Sequence, residues 1–418
     1  MSRGAEMMPR NHTMLLSCLL VIAPLTSLAQ EGQGSDIATA ITGGEAAVAL
    51  RYRYEYVDQD GLPKNANAST LRLRLNYRTG DWRGWSAFGE FDHIFHVLLT
   101  DFDSGAGTSP DKAGTYPVVA DPKGSDLNQL YVDYGWRPEW KFRFGRQRIL
   151  LDNERYVGGV GWRQNEQTFD SVSLMTTAVD NAEIFYSYVV QVRRIFGPTV
   201  AAGTNDVNAH LLNAKIRLND NWFVTPYIYY IDNDDISAFS TSTLGARITG
   251  DIGVGEGKLA FVGEFATQSD AANAPVNYDA DYFHLTGTWL GTGGLSVGIG
   301  FESLGGNPDP GAAFRTPLAT LHPHNGWADK FLTTPDGGLD DTYLTVKYKA
   351  GKWNLTGVYH DFAAETGGGD FGSEFDFSAG RKLTERYGLL LKGALFSADS
   401  GSSLTDTNKL WVMLTASY

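Results

Sequence analysis

The sequence predicts an all-β fold: a transmembrane antiparallel up-and-down β-barrel of about eighteen strands, with long extracellular loops and short periplasmic turns. Three observations predict it. An export signal precedes a mature chain without cysteine. Segments of about ten residues alternate apolar and polar positions through the whole mature chain, the period of a strand with one greasy face. Long and short connections then alternate between those segments, which is what two different ends of a barrel produce.

The signal comes first. Arg3 and Arg10 supply a basic stretch, "MLLSCLLVIAPL" (14–25) an apolar core, and "SLA" (27–29) small residues before a cut ahead of Gln30. The apolar run is too short for a membrane helix. Cys18, the one cysteine, lies inside the signal. A lipoprotein reading of Cys18 competes, but apolar residues continue past it as in a plain signal core. The expected division is therefore residues 1–29 as signal peptide, 30–45 as a short periplasmic segment and 46–418 as one barrel domain. Residues 30–45 are too few for the plug of an energised transporter.

Composition agrees. The chain has 48 Gly, 22 Phe, 20 Tyr and 10 Trp in 418 residues, yet its mean hydropathy is negative. So many aromatics without a hydrophobic average fit strands that face lipid on one side and water on the other. The formal charge of −14 excludes nucleic acid as a general partner, because such a surface repels phosphate.

Four segments show the alternation well. "VALRYRYEY" (48–56) sets Leu50, Tyr52, Tyr54 and Tyr56 against Arg51, Arg53 and Glu55. "LRLRLNYR" (71–78) sets Leu71, Leu73, Leu75 and Tyr77 against Arg72, Arg74, Asn76 and Arg78. "NAKIRL" (213–218) and "YLTVKYK" (343–349) repeat the pattern with Lys215 and Arg217, then Lys347 and Lys349. Strands are expected at 46–57, 69–78, 85–96, 127–134, 141–149, 170–177, 182–194, 208–218, 222–231, 242–251, 259–268, 281–290, 295–303, 341–349, 353–362, 375–382, 387–397 and 408–418. The long connections are 58–68, 97–126, 150–169, 195–207, 304–340 and 363–374. The short ones include "AVDN", "NDN", "GTGG", "AGK" and "LTER". The last strand ends on Tyr418, an aromatic terminus of the kind read by the outer-membrane assembly machinery, so that machinery is an expected partner.

A cation at the bilayer midplane costs about 2–4 kcal/mol, so charged strand residues must face the lumen. Arg51, Arg53, Arg72, Arg74, Arg143, Arg146, Arg148, Lys215, Arg217, Arg247, Lys347 and Lys349 are the expected pore lining. A lumen rich in guanidinium concentrates anions and pairs bidentately with carboxylates. The competing reading is that these cations balance Glu55, Glu90, Asp92, Asp133 and Glu264, which also point inward. Acids concentrate in the long connections, where solvated surface or divalent ions among lipopolysaccharide head groups are the two readings. No loop has calcium-ligand spacing.

Enzyme chemistry finds little support. There is no Gly-x-Ser-x-Gly elbow. His93 and His96 fall on opposite strand faces, and "HPH" (322–324) has no cysteine beside it, so no metal is assigned. "GVGEGK" lacks phosphate-loop spacing, and "GGVG" lacks the strand–glycine–helix setting of a dinucleotide site; no cofactor is expected. An adhesin would carry its function in the loops and need no wide cationic lumen.

Three segments carry a resemblance. "LNQLYVDY" (127–134), "FRFGRQRILLDNERYVGGVGWRQNEQTFD" (142–170) and "FRTPLATLHPHNGWADKFLTTPDGGLDDTYL" (314–344) are similar to the alginate-export-type outer-membrane barrels. The resemblance implies eighteen strands, an electropositive pore narrowed by infolded loops, and passage of a polyuronate. It also implies a long periplasmic loop near the C-terminal end in a polymer exporter; here that turn is only "LTER" (383–386). The expectation is thus passive passage of anionic organic solutes, such as uronate oligosaccharides, with a non-selective porin as the alternative. The connection 150–169 is too long and too charged for a surface tip. Asp152, Glu154, Arg155, Trp162, Arg163 and Glu166 are its expected constriction residues, with Arg155 or Arg163 paired to carboxylates.

Overall fold

The structure, a computed structural model, describes residues 36–307 and 311–418. The proposed signal peptide lies outside the described residues. A short helix, α1 (Ile37–Thr42), precedes the first strand. The strands are β1 (Glu45–Gln59), β2 (Ala66–Arg78), β3 (Trp85–Asp101), β4 (Gly124–Arg137), β5 (Trp140–Gln147) and β6 (Thr168–Thr176). Then come β7 (Ala182–Arg193), β8 (Thr204–Arg217), β9 (Trp222–Asn233), β10 (Thr241–Val254), β11 (Gly257–Asp270) and β12 (Asp279–Leu290). The last are β13 (Leu295–Leu304), β14 (Leu339–Ala350), β15 (Trp353–Ala363), β16 (Asp370–Lys382), β17 (Tyr387–Ala398) and β18 (Thr407–Ser417).

Each strand pairs antiparallel with its sequence neighbours, and β1 pairs with β18 to close an 18-stranded sheet. Closure runs through the chain end: Val48 and Tyr418 exchange both backbone bonds at 2.9 Å. Lipid offers no partner to an open edge, so the ring has to close. The sequence placed every strand. Observed strands run further toward the long-loop end, as in β2 and β3, because only the lipid-facing part must alternate apolar residues. Asp58, Asp101, Asp232 and Asp340, outside the expected strands, sit on these extensions. At the other end the hairpins are tight. Gly255 and Gly351 open two-residue turns at φ +59° and +60°, a left-handed conformation that such turns require and glycine adopts without strain.

The outer face carries Leu75, Phe91, Leu130, Ile248, Phe265, Leu285, Val346 and Leu414, all exposed. Tyr77, Trp85, Trp136, Trp289, Tyr348, Tyr387 and Tyr418 are exposed at the short-turn ends of their strands, an aromatic girdle for one membrane interface. The inner face carries the charge. Cations cluster on β1 and β2 with Arg51, Arg53, Arg72 and Arg74; carboxylates cluster on β11 to β16 with Glu264, Glu302, Asp341, Glu374 and Asp376, all buried. His93 and His96 do fall on opposite faces: His93 meets Ser125 and packs against Phe95 with the rings tilted, while His96 bonds the Asp121 carbonyl.

Candidate functional site: two infolded loops and a cationic vestibule

Two connections at the long-loop end meet inside the barrel. Residues 148–167 join β5 to β6, and residues 305–338 join β13 to β14. Val157 and Leu318 form a parallel bridge. Gly158 N–H and Gln167 Nε2 both donate to the Leu318 carbonyl at 2.9 Å. Val160 N–H donates to Thr320 Oγ1 at 2.8 Å, and that hydroxyl donates to Glu154 at 2.5 Å. Asp152 accepts from Asn213 of β8 at 2.7 Å. Tyr156 wedges among Tyr227, Tyr229, Tyr282 and Phe314 and fills the β9–β12 side of the interior.

The opposite side of the first loop lies against β1 and β2. A loop inside a barrel has carbonyls without strand partners, and each needs a donor. Arginine supplies five N–H groups. Arg51 donates to Gln164 Oε1 and the Gly161 carbonyl, both at 2.9 Å, and to the Arg163 carbonyl. Arg53 donates to the Trp162 carbonyl at 2.5 Å and meets Asp121. Arg72 donates to the Gln164 carbonyl at 3.3 Å. Arg74 grips Asp92 with two bonds, 2.8 and 2.6 Å.

Glu166 is the ionic centre. Its carboxylate lies 3.0 Å from Arg74, 3.3 Å from Arg72 and 2.7 Å from Arg148 Nε. Burial alone would raise its pKa, but Arg148, Arg74, Arg72 and Arg51 together hold it well below the usual carboxylate range.

The second loop brings its own network. Arg155 Nε lies 2.9 Å from Glu302, an ion pair out of line for a hydrogen bond, and Nη2 donates to Asn325 at 2.9 Å. Asn325 in turn donates to Glu302 at 2.7 Å and Asp341 at 3.1 Å. Arg163 reaches Glu55 at 3.3 Å and Asp329 at 3.0 Å. Asp329 also takes Lys409 at 2.8 Å and pairs with His322 Nδ1 at 2.7 Å. His322 Nε2 meets Lys392 Nζ at 2.7 Å, which fixes the neutral tautomer with its proton on Nδ1. Burial first, then the Lys392 charge, pushes the His322 pKa down to about 3. Lys392 Nζ also sits 3.7 Å from the Trp327 ring, 4.3 Å from Trp162 and 5.5 Å from Trp411, a cation–π cage joining both loops to β17 and β18.

At the long-loop end a cavity of about 630 Å³ opens over these loops. Arg155, Arg163, Arg194, Arg315, Lys330 and Lys409 line it, against the carboxylates of Asp103 and Asp329. Two of its cations meet neutral partners: Arg194 donates to Asn205 at 3.2 Å, and Lys330 to the Thr407 hydroxyl at 2.9 Å. Burial, then the charge of Lys409, lowers the Lys330 pKa to about 8.

The expected pore residues thus divide. Arg51, Arg53, Arg72, Arg74, Arg148 and Arg247 point inward but are occupied by loop carbonyls and carboxylates, Arg247 by Glu264. Arg143 is held by Asp133 at 2.6 and 3.0 Å. Lys215, Arg217, Lys347 and Lys349 are exposed on the inward parity toward the short-turn end. Arg146 needs correction. It lies opposite Leu130 and on the parity of Phe144, both exposed on the outer face, and binds Asp170 at 2.7 Å. Gln147 takes the inward place instead, buried against Ser171 at 2.9 Å. Lys392 faces inward as its strand position predicts. Sequence reading weighed His322 only as a metal ligand and missed Asn325, Asp329, Lys409, Arg194, Arg315 and Lys330. For His322, Asn325, Asp329, Arg315 and Lys330 the available signal was the length of 305–338 and its mixture of Trp, His and Asp.

A closed 18-stranded barrel, apolar outside and charged inside, defines an outer-membrane channel of the porin-like class rather than an enzyme. The family follows from sequence: the family model described as "Alginate export" matches residues 45–301, and the chain belongs to that family. Solved barrels share the fold. Acinetobacter baumannii OccAB4 superposes with a TM-score of 0.72 at 12% identity, over 92% of this chain and 99% of that one. Pseudomonas aeruginosa OccK9 (OpdG) gives 0.70 at 14% identity, over 91% and 100%. Acinetobacter baumannii OccAB1 gives 0.70 at 13%, over 91% and 97%. At such identities the likeness is one of fold. No curated protein sequence matches the chain.

Proposed function

We propose that this channel passes anionic organic solutes passively, with uronate oligosaccharides as the solute class, and that residues 148–167 and 305–338 narrow it. The observation that carries this reading is the vestibule: six basic side chains face two carboxylates where solutes enter. A concave, low-dielectric mouth of one sign focuses its field and concentrates counter-charged solutes. Further along the path, Lys215, Arg217, Lys347 and Lys349 continue the cationic lining. Their exposure supports their role as contacts for a permeating anion. The short turn at 383–386 supports small solutes over a polymer.

A non-selective porin is the second reading. It is favoured by the pairing of Arg51, Arg53, Arg72 and Arg74 with carbonyls and carboxylates, which removes their charge from the path. In either reading the chain is exported by its signal peptide and inserted by the assembly machinery through the strand ending at Tyr418. Its lipid-facing wall then sits among lipid and lipopolysaccharide. Planar-bilayer recording in a KCl gradient decides between the readings. The reversal potential is expected on the anion side, and replacing 150–166 by a short Gly-Ser linker is expected to raise conductance. Cation preference, or no current, would sink the anion reading; unchanged conductance would return the loop to the surface.

A further inference from the structure

The vestibule floor contains an anion seat that the protein fills with its own carboxylate. Asp329 Oδ2 receives Lys409 Nζ at 2.8 Å and Arg163 Nη2 at 3.0 Å, and Oδ1 receives the His322 Nδ1 proton at 2.7 Å. All four residues line the same cavity. We infer that Asp329 occupies the binding site of a permeating carboxylate, and that a solute carboxylate displaces it and releases the 325–329 segment. This deepens the anion-channel reading and rests on it.

Three features support the exchange. First, the chemistry is like for like: a carboxylate from solution restores every charge partner that Asp329 leaves, so no buried cation is stranded. Second, the segment that must move is strained. Asn325 and Asp329 adopt φ +52° and +61°, with Gly326 at +85° between them. Left-handed residues persist where surrounding contacts over-determine them. Here the contacts are the Ala328 N–H on Glu374 at 2.7 Å, the Trp327 N–H on Asp376 at 3.2 Å and the Asn325 amide between Arg155, Glu302 and Asp341, besides the seat itself. Third, a conducting pore needs sites that let the solute leave, and a carboxylate held next to the seat by its own chain re-enters it and supplies that release.

The test uses single-channel recording on the full-length protein, with D-glucuronate or uncharged D-glucose added at constant ionic strength to the long-loop side. Glucuronate is expected to raise the wild-type conductance or open time at least twofold, and glucose to leave both unchanged. Asp329→Asn keeps the shape and removes the charge. It is expected to show the raised conductance without solute and no further glucuronate response. A wild-type channel that responds equally to both sugars, or to neither, overturns the inference. So does an Asp329→Asn channel that behaves as wild type. If Asp329→Asn fails to fold, read from loss of heat-modifiable migration, the wild-type pair of solutes decides alone. The reversal potential in KCl, measured on the same wild-type channels, separates the two claims: anion preference with a flat glucuronate response fails the seat only.

Discussion

The indole of Trp162 lies face to face with the imidazole of His322, with ring centroids 4.5 Å apart and planes within 8°. One ring comes from the loop after β5, the other from the loop after β13. Their stack, capped by Lys392, is where two segments far apart in sequence become one partition across the barrel.

Trp162→Ala removes the stack and one of the three indole faces of the lysine cage. Truncating a buried Trp costs about 3–5 kcal/mol; Trp162 is only partly buried, so the lower end is expected. A lower urea midpoint with larger, noisier single-channel currents is the expected pair of readouts. A stability loss without any change in current would detach the stack from the pore.

Glu166→Gln strips the common counter-charge from Arg72, Arg74 and Arg148. Breaking a buried ion cluster by removing one partner costs about 3–5 kcal/mol. Where the variant still folds, the unbalanced guanidiniums should raise the anion-to-cation permeability ratio. Folded protein is scored by gel migration, selectivity by reversal potential.

Acid should loosen the loops before it unfolds the barrel. His322 and His324 are both pushed to about 3, by burial first and then by the charges of Lys392 and Arg155 respectively. Their folded pKa lies below the unfolded value near 6.5, so the unfolded chain binds more protons between these limits. Stability is complete above about pH 6.5 and is lost as pH falls toward 3, at most about 1.4 kcal/mol per pH unit for each histidine. Urea midpoints from pH 7 to 4 should fall less steeply in His322→Gln than in wild type.

Anion selectivity should weaken as pH rises through about 8, where Lys330 loses its proton. Lys330→Met should lower selectivity at pH 7 and abolish that alkaline step. Reversal potentials at pH 7 and 9 give the comparison.

Arg146 and Arg155 make a contrasting pair. Arg155→Met, on the vestibule wall, is expected to reduce anion preference; Arg146→Met, on the outer face, is expected to leave it unchanged. Equal effects would contradict the outward place of Arg146 in the register of β4 and β5 or the place of Arg155 on the cavity wall.

The sequence alone carried the architecture, because a barrel wall is written locally. Each strand must alternate faces, each short turn needs its polar or glycine residues, and the side that meets lipid excludes charge, so Arg51, Arg72 and Lys347 could be assigned inward one strand at a time. It failed at Arg146, where charge points inward but alternation counted from Arg143 places the residue outward, beside Phe144. The loop after β5 was legible through its length and charge. What it touches was not, because Glu55, Glu302 and Asp329 lie on strands or loops more than a hundred residues away. Only the tertiary structure decided that the strand arginines serve the infolded loop rather than open water, that the loop after β13 closes the other half, and that cationic charge collects in the vestibule. Those outcomes depend on which donors and carboxylates meet across a closed ring, and ring closure brings together residues that no local pattern relates.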